Sequence, residues 1–133
     1  MIVVDASMAL RWVLAEREQA EATAALDYIS TNGGQVPGNF QSEVAHGLLQ
    51  AERHNRISAR DVSVGLSEIA ALPLAVQLPD VHVVVATARQ YGLTGYDGAY
   101  LALALQSSLP LATVDERLRK AARSAGVLWR YKR

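Results

Sequence analysis

Four acidic side chains lie near points where a predicted strand gives way to a helix. Asp5 follows the first predicted strand, and Asp115 follows a late one. Asp97 lies at the start of the helix that leads into that late strand, and Glu43 lies in the first turns of the helix after the second strand. Because functional groups of open parallel α/β sheets collect beyond the carboxyl ends of the strands, we expect these acids to lie close together.

The sequence places no cation beside these acids. No Lys or Arg lies within four residues of Asp5 or Glu43, and none lies within seven residues of Asp97. Crowded carboxylates raise one another's pKa, and a divalent cation removes that repulsion. Oxygen ligands without Cys or a His cluster favour Mg²⁺ or Mn²⁺ over zinc. Such an ion polarises a phosphate oxygen and activates a water for in-line attack, so the acids predict metal-dependent phosphodiester hydrolysis.

Each acid also has a structural alternative. Asp5 and Asp115 are suited to cap the helices that follow them. Asp97 completes a capping-box spacing with Thr94, and Glu43 fits a solvated helix face. Residue type and spacing alone leave both interpretations open.

Short apolar segments alternate with longer helical ones along the chain. Strands are predicted at 2–4, 35–37, 73–76, 110–113 and 127–129. Helices are predicted at 6–28 (as two helices), 40–54, 58–69, 80–91, 94–105 and 115–125. This alternation predicts a single three-layer α/β domain in which helices flank a short parallel sheet.

Length and composition set the class of protein. The chain has 133 residues, a formal net charge of zero and 50% hydrophobic residues, which fits one folded domain. It contains no cysteine, which excludes disulfide scaffolds and thiolate chemistry. The N-terminus lacks the pattern of a signal peptide, and the uncharged run 98–114 is too short and polar to span a bilayer. We therefore expect a soluble cytoplasmic protein with no membrane association.

Four sequence fragments resemble one known family. They are VVDAS at 3–7, SEVA at 42–45, LTGYDGAYLALA at 93–104 and LATVDERL at 111–118. In this order and spacing they resemble the PIN-domain ribonucleases and, among these, the VapC-type toxins of type II toxin–antitoxin systems. The resemblance covers nearly the whole chain, so residues 1–133 are expected to form one PIN-like nuclease domain.

The resemblance implies an endoribonuclease that uses Mg²⁺ or Mn²⁺. It also implies a homodimer and a small cognate antitoxin that covers or distorts the site. The metal-binding and catalytic acids implied are Asp5, Glu43 and Asp97, with Asp115 as a fourth. Ser7 and Thr113 are implied to be hydroxyls that orient the carboxylates or water.

One position departs from the family pattern. His46 stands where many relatives carry an asparagine after Glu-Val-Ala. Its imidazole either hydrogen-bonds Glu43, three residues away, or contacts the scissile phosphate. The alternative is a partly buried histidine that packs beside the site. The departure keeps open a catalytically silent PIN-like module that binds RNA or protein. A receiver-type signalling domain is disfavoured, because Asp115 lies where such domains place a lysine at the end of a late strand.

The C-terminal end is basic, and two tyrosines flank the Asp97 segment. Arg119 and Arg123 are four residues apart and form either a phosphate-binding edge for RNA or a solvated surface. Tyr96 and Tyr100 could stack on an unpaired base. Packing is the alternative for them, and Tyr100 favours it because it adjoins an apolar run.

Overall fold

The computed structural model, which describes residues 1–14 and 20–131, contains one parallel sheet. Its strands are β1 (Ile2–Val4), β2 (Gly34–Val36), β3 (Leu74–Val76) and β4 (Leu111–Ala112), and their spatial order is β3-β2-β1-β4. All three strand pairings are parallel. The central β1 is completely buried, as its unbroken β-branched run predicts.

Helices connect and follow these strands. They are α1 (Ala6–Val13), α2 (Ala20–Asn32), α3 (Phe40–Arg53), α4 (Ala59–Ala70), α5 (Val81–Tyr91), α6 (Gly95–Ser107) and α7 (Glu116–Ser124). Gly92 ends α5 in the left-handed conformation at φ +66°, which glycine adopts without steric cost. The three-layer α/β architecture predicted from the sequence is confirmed.

Close packing of α1 against α3 brings two of the acidic segments together. A Cβ atom added at Gly47 would lie 2.5 Å from the end of the Leu10 side chain, so a larger residue there would displace Leu10. Because Asp5 lies at the start of α1 and Glu43 in the first turn of α3, this contact helps to set the spacing of the two carboxylates.

Two parts of the chain differ from the predicted elements. The predicted strand at 127–129 was wrong: it reduces to a single parallel bridge between Leu111 and Leu128, since both backbone hydrogen bonds to it, from Leu111 to Val127 and from Trp129 to Leu111, involve Leu111 alone. The interrupted helical region at 6–28 forms α1 and α2, while residues 15–19 between them, like Lys132 and Arg133, lie outside the described residues.

We found no helix in the described ranges that combines the length and hydrophobicity needed to cross a bilayer.

Candidate active site

All four acids predicted from the sequence line one open cavity of about 660 Å³. Asp5 reaches it from the end of β1 and Glu43 from the first turn of α3. Asp97 comes from the first turn of α6, and Asp115 from the residue before α7. The fold therefore brings together acids from four separate segments of the sequence.

Asp5 is the most buried of these acids, with 4% of its surface exposed. Its Oδ1 accepts a hydrogen bond from the Met8 amide at 3.0 Å and so caps α1, while Oδ2 accepts from the Thr113 hydroxyl at 2.7 Å. The Ser7 hydroxyl lies 2.8 and 2.9 Å from the two carboxylate oxygens. Burial raises the pKa of Asp5 to about 6, and the charge of Asp115 adds to the increase, although the hydrogen bonds oppose it.

Glu43 is half-buried and held through one of its two oxygens. Its Oε2 accepts hydrogen bonds from the Asn39 amide and, at 3.1 Å, from the Tyr100 hydroxyl. Within the described ranges, Oε1 accepts no hydrogen bond. Burial raises the pKa of Glu43, and the charge of Asp97 raises it further, while the two hydrogen bonds work in the opposite direction.

Asp97 does not complete the capping box that its spacing allows. The Thr94 hydroxyl accepts from the Asp97 amide at 3.1 Å, but no donor among the described residues contacts the Asp97 carboxylate. By contrast, Ser58 and Asp61 form both halves of a capping box at the start of α4. The Asp97 carboxylate is therefore available to the cavity that it lines.

Electrostatic repulsion links the acids. Burial and the charge of Asp115 raise the pKa of Asp97, and the guanidinium of Arg117 lowers it. Asp115 itself accepts the Leu118 amide at 2.9 Å through Oδ2 and caps α7. Three pairs of acids therefore repel each other: Asp5 with Asp115, Asp115 with Asp97, and Asp97 with Glu43.

The residues in the cavity suit a hard divalent cation by their chemistry. The four acids offer carboxylate oxygens, which Mg²⁺ and Mn²⁺ prefer, and a cation between them would relieve their repulsion. As the described side chains stand, no three His, Asp or Glu residues form a group that could hold an ion. The fit therefore rests on the donor types and their repulsion, not on a preformed coordination shell.

Ser7 and Thr113 connect Asp5 to the segment after β4. Besides donating to Asp5, the Ser7 hydroxyl accepts from the Val114 amide at 3.2 Å. The Thr113 hydroxyl accepts from the Asp115 amide at 3.1 Å. The two hydroxyls thus fix the position of Asp115 relative to Asp5.

The His46 side chain is exposed in the cavity wall. No hydrogen bond joins it to Glu43, or to any other residue that the structure describes. It is thus not the partly buried, packed side chain of the alternative interpretation, and a direct contact with phosphate stays a prediction.

Arg119 and Arg123 do not line the acidic cavity. Together with Arg130 they line a separate depression. Arg119 forms an ion pair with Glu21 at 2.8 Å and donates to the Thr113 carbonyl at 3.0 Å, so it has an intramolecular role. The structure does not join these arginines to the acidic cavity, and their contact with RNA stays a prediction.

Two residues that contact Glu43 were not identified from the sequence. Asn39 precedes Glu43 by four residues, a spacing that places them on neighbouring helical positions and could have been noticed. Tyr100 was assigned to packing, and it is indeed buried, but its hydroxyl also contacts the site.

Comparisons with known proteins agree with this fold. The family model for the PIN domain matches residues 2–124. The crystal structure of PAE2754 from Pyrobaculum aerophilum is similar over 90% of this chain and 83% of that chain, with a TM-score of 0.67 and 22% sequence identity. At that identity the likeness shows a common fold. No curated protein matches the sequence.

Proposed function

This chain belongs to the PIN-domain family, and we propose that it is a Mg²⁺- or Mn²⁺-dependent endoribonuclease that acts as a VapC-type toxin. PIN domains are generally nucleases that use divalent metal ions. The finer assignments proposed for this chain are its preference for RNA, its metal site and its toxin role.

One observation carries the proposal: four acids from separate segments line the same cavity, and burial together with mutual repulsion raises the pKa of three of them. A purely structural set of caps has no need to share a cavity. Asp97 in particular carries a partly buried carboxylate that accepts no capping hydrogen bond among the described residues. Perturbed acids gathered in a cleft are typical of functional sites.

In this proposal the ion is held by carboxylate oxygens of Asp5, Glu43, Asp97 and Asp115. When bound, it would supply positive charge to a phosphate oxygen and promote ionisation of a water molecule. The surrounding residues orient the carboxylates. Ser7 and Thr113 hold Asp5, while Asn39 and Tyr100 hold one oxygen of Glu43 and leave the other open.

The proposed partners are RNA, a cognate antitoxin and a second copy of the chain. Exposed apolar side chains on and after β3 and along α5 support a protein-binding surface, since large apolar patches mark interaction sites. The most exposed are Val76, Leu78, Val81 and Val85.

Cleavage of single-stranded RNA by the purified protein tests the proposed activity. We expect cleavage with Mg²⁺ or Mn²⁺, none with EDTA, and a loss of more than about 100-fold in Asp97→Asn. Asp27→Asn serves as the matched control, because Asp27 is an exposed acid of α2 outside the cavity, and it should cleave like the wild type.

Two outcomes would contradict the proposal. Cleavage that survives both EDTA and Asp97→Asn would remove the metal mechanism. Binding of RNA without cleavage or uptake of Mn²⁺ would favour the catalytically silent module. The toxin role is tested separately: expression should arrest growth of the host cell, and expression of Asp97→Asn should not.

A further inference from the structure

Tyr96 and Tyr100, which lie about one turn apart on α6, have opposite environments. Tyr100 is 1% exposed and points its hydroxyl at Glu43. Tyr96 is 68% exposed and lines the cavity that holds the acids. Residues 98–104 of α6 are buried, whereas Tyr96 presents its ring to solvent beside the acidic cavity and not to the core.

The backbone of Tyr96 is anchored on both sides. The Thr94 hydroxyl caps the helix by accepting the Asp97 amide, which places Tyr96 within the first turn of α6. The Tyr96 carbonyl accepts from the Asn39 amide at 3.4 Å, and the same amide donates to Glu43. The backbone that carries the ring is therefore held next to Asp97 and, through Asn39, next to Glu43.

We propose that Tyr96 forms a stacking subsite for an unpaired RNA base. This base would lie next to the phosphate of the bond that is cleaved at the four acids. The inference rests on the proposed ribonuclease function and names the part of the substrate that this wall of the cavity binds. The cavity volume of about 660 Å³ falls in the range of sites that hold whole small ligands, so it has room for more than a phosphate.

A base suits this wall better than the RNA backbone does. Asp97 adjoins Tyr96, and its carboxylate repels phosphates, whereas an uncharged base can lie against the ring. Stacking requires an open π-face, which bases of a duplex already cover with their neighbours. Tyr96 therefore selects single-stranded RNA and tolerates different bases.

Binding of a cleavable single-stranded RNA oligonucleotide, with Ca²⁺ in place of Mn²⁺ to limit cleavage, tests the subsite. We expect Tyr96→Ala to weaken binding by about 5- to 150-fold, the equivalent of losing one stacked base, and Tyr96→Phe to bind like the wild type. Oligonucleotides with one abasic nucleotide locate the contact. At one position near the cleaved bond, removal of the base should abolish the difference between wild type and Tyr96→Ala.

Two controls separate stacking from general effects. Val64→Ala shortens an apolar side chain of α4 that is 46% exposed and lies outside the cavity, and it should bind RNA like the wild type. The melting temperature of Tyr96→Ala should equal that of the wild type, because the ring is exposed. With Mn²⁺, the same variant should raise the KM for single-stranded RNA more than it lowers kcat.

The results distinguish failure of this inference from failure of the proposed function. Equal binding by Tyr96→Ala and wild type, or a loss that persists with every abasic oligonucleotide, would overturn the stacking subsite even while the wild type cleaves RNA. A position-specific loss in a protein that never cleaves RNA would support the subsite and contradict the nuclease.

Discussion

The hydroxyl of Tyr100 donates a hydrogen bond to Oε2 of Glu43 at 3.1 Å, although 57 positions separate the two residues. Burial and the nearby charge of Glu43 raise the pKa of Tyr100, so the phenol remains a donor throughout the neutral pH range. This bond fixes one carboxylate oxygen and leaves Oε1 open among the described residues.

Tyr100→Phe should destabilise the protein and impair the site together. We expect the free energy of unfolding to fall by about 1–3 kcal/mol, because a buried hydrogen bond to a carboxylate is lost while the ring still fills the core. Denaturant unfolding measures this loss, and a Mn²⁺ titration should show weaker binding. Unchanged values in both measurements would contradict a positioning role for Tyr100.

Asp5 should make stability depend on pH. Its pKa is raised in the folded protein from 3.8 to about 6, so its contribution to stability is fully present below pH 3.8 and is lost as the pH rises through 6. Relative to Asp5→Asn, the metal-free wild type should lose about 3 kcal/mol between pH 3 and pH 7. Denaturant unfolding in EDTA across this range checks the sign, and parallel curves for the two proteins would contradict it.

Mn²⁺ should raise the melting temperature. In the proposed function the ion would bind the folded state and relieve repulsion among the acids, which is worth about 2.7 kcal/mol at a concentration 100 times its Kd. For a domain of this size we expect a shift of several degrees. It should shrink in Asp97→Asn and persist in Asp27→Asn. A melting temperature that saturating Mn²⁺ leaves unchanged would contradict a metal site.

Arg119 and Arg123 should differ in their effect on stability. Arg119→Ala breaks a partly exposed ion pair with Glu21 and a hydrogen bond to the Thr113 carbonyl, so we expect a loss of about 1 kcal/mol. Arg123→Ala, which removes an exposed side chain, should unfold like the wild type. Thermal and denaturant unfolding compare them, and equal losses would argue against the distinct role of Arg119.

Residue type and order were sufficient to predict the strands that position Asp5 and Asp115. The β-branched run of β1 ends at Asp5, and the buried strand β4 ends shortly before Asp115. Parallel strands then place both residues at the same edge of the sheet. Local signals of this kind depend only on neighbouring residues, which explains why the α/β class could be predicted.

Contacts between distant segments could not be predicted in this way. The bonds from Tyr100 to Glu43 and from Arg119 to Glu21 depend on how whole helices pack, which no local spacing encodes. The predicted strand at 127–129 failed for a related reason. Its apolar residues favoured a strand, but whether they pair depends on their position beside the distant β4, with which only Leu128 forms a bridge.

Under the proposed function, trapping an uncleaved RNA on the protein calls for an inactive variant that still folds normally. Asp5 and Asp115 are poor choices, since each also holds the first turn of a helix through a main-chain amide. The Asp97 carboxylate accepts no main-chain amide among the described residues, because the Thr94 hydroxyl caps α6. A substrate trap for crosslinking and sequencing of bound transcripts is therefore best built at Asp97.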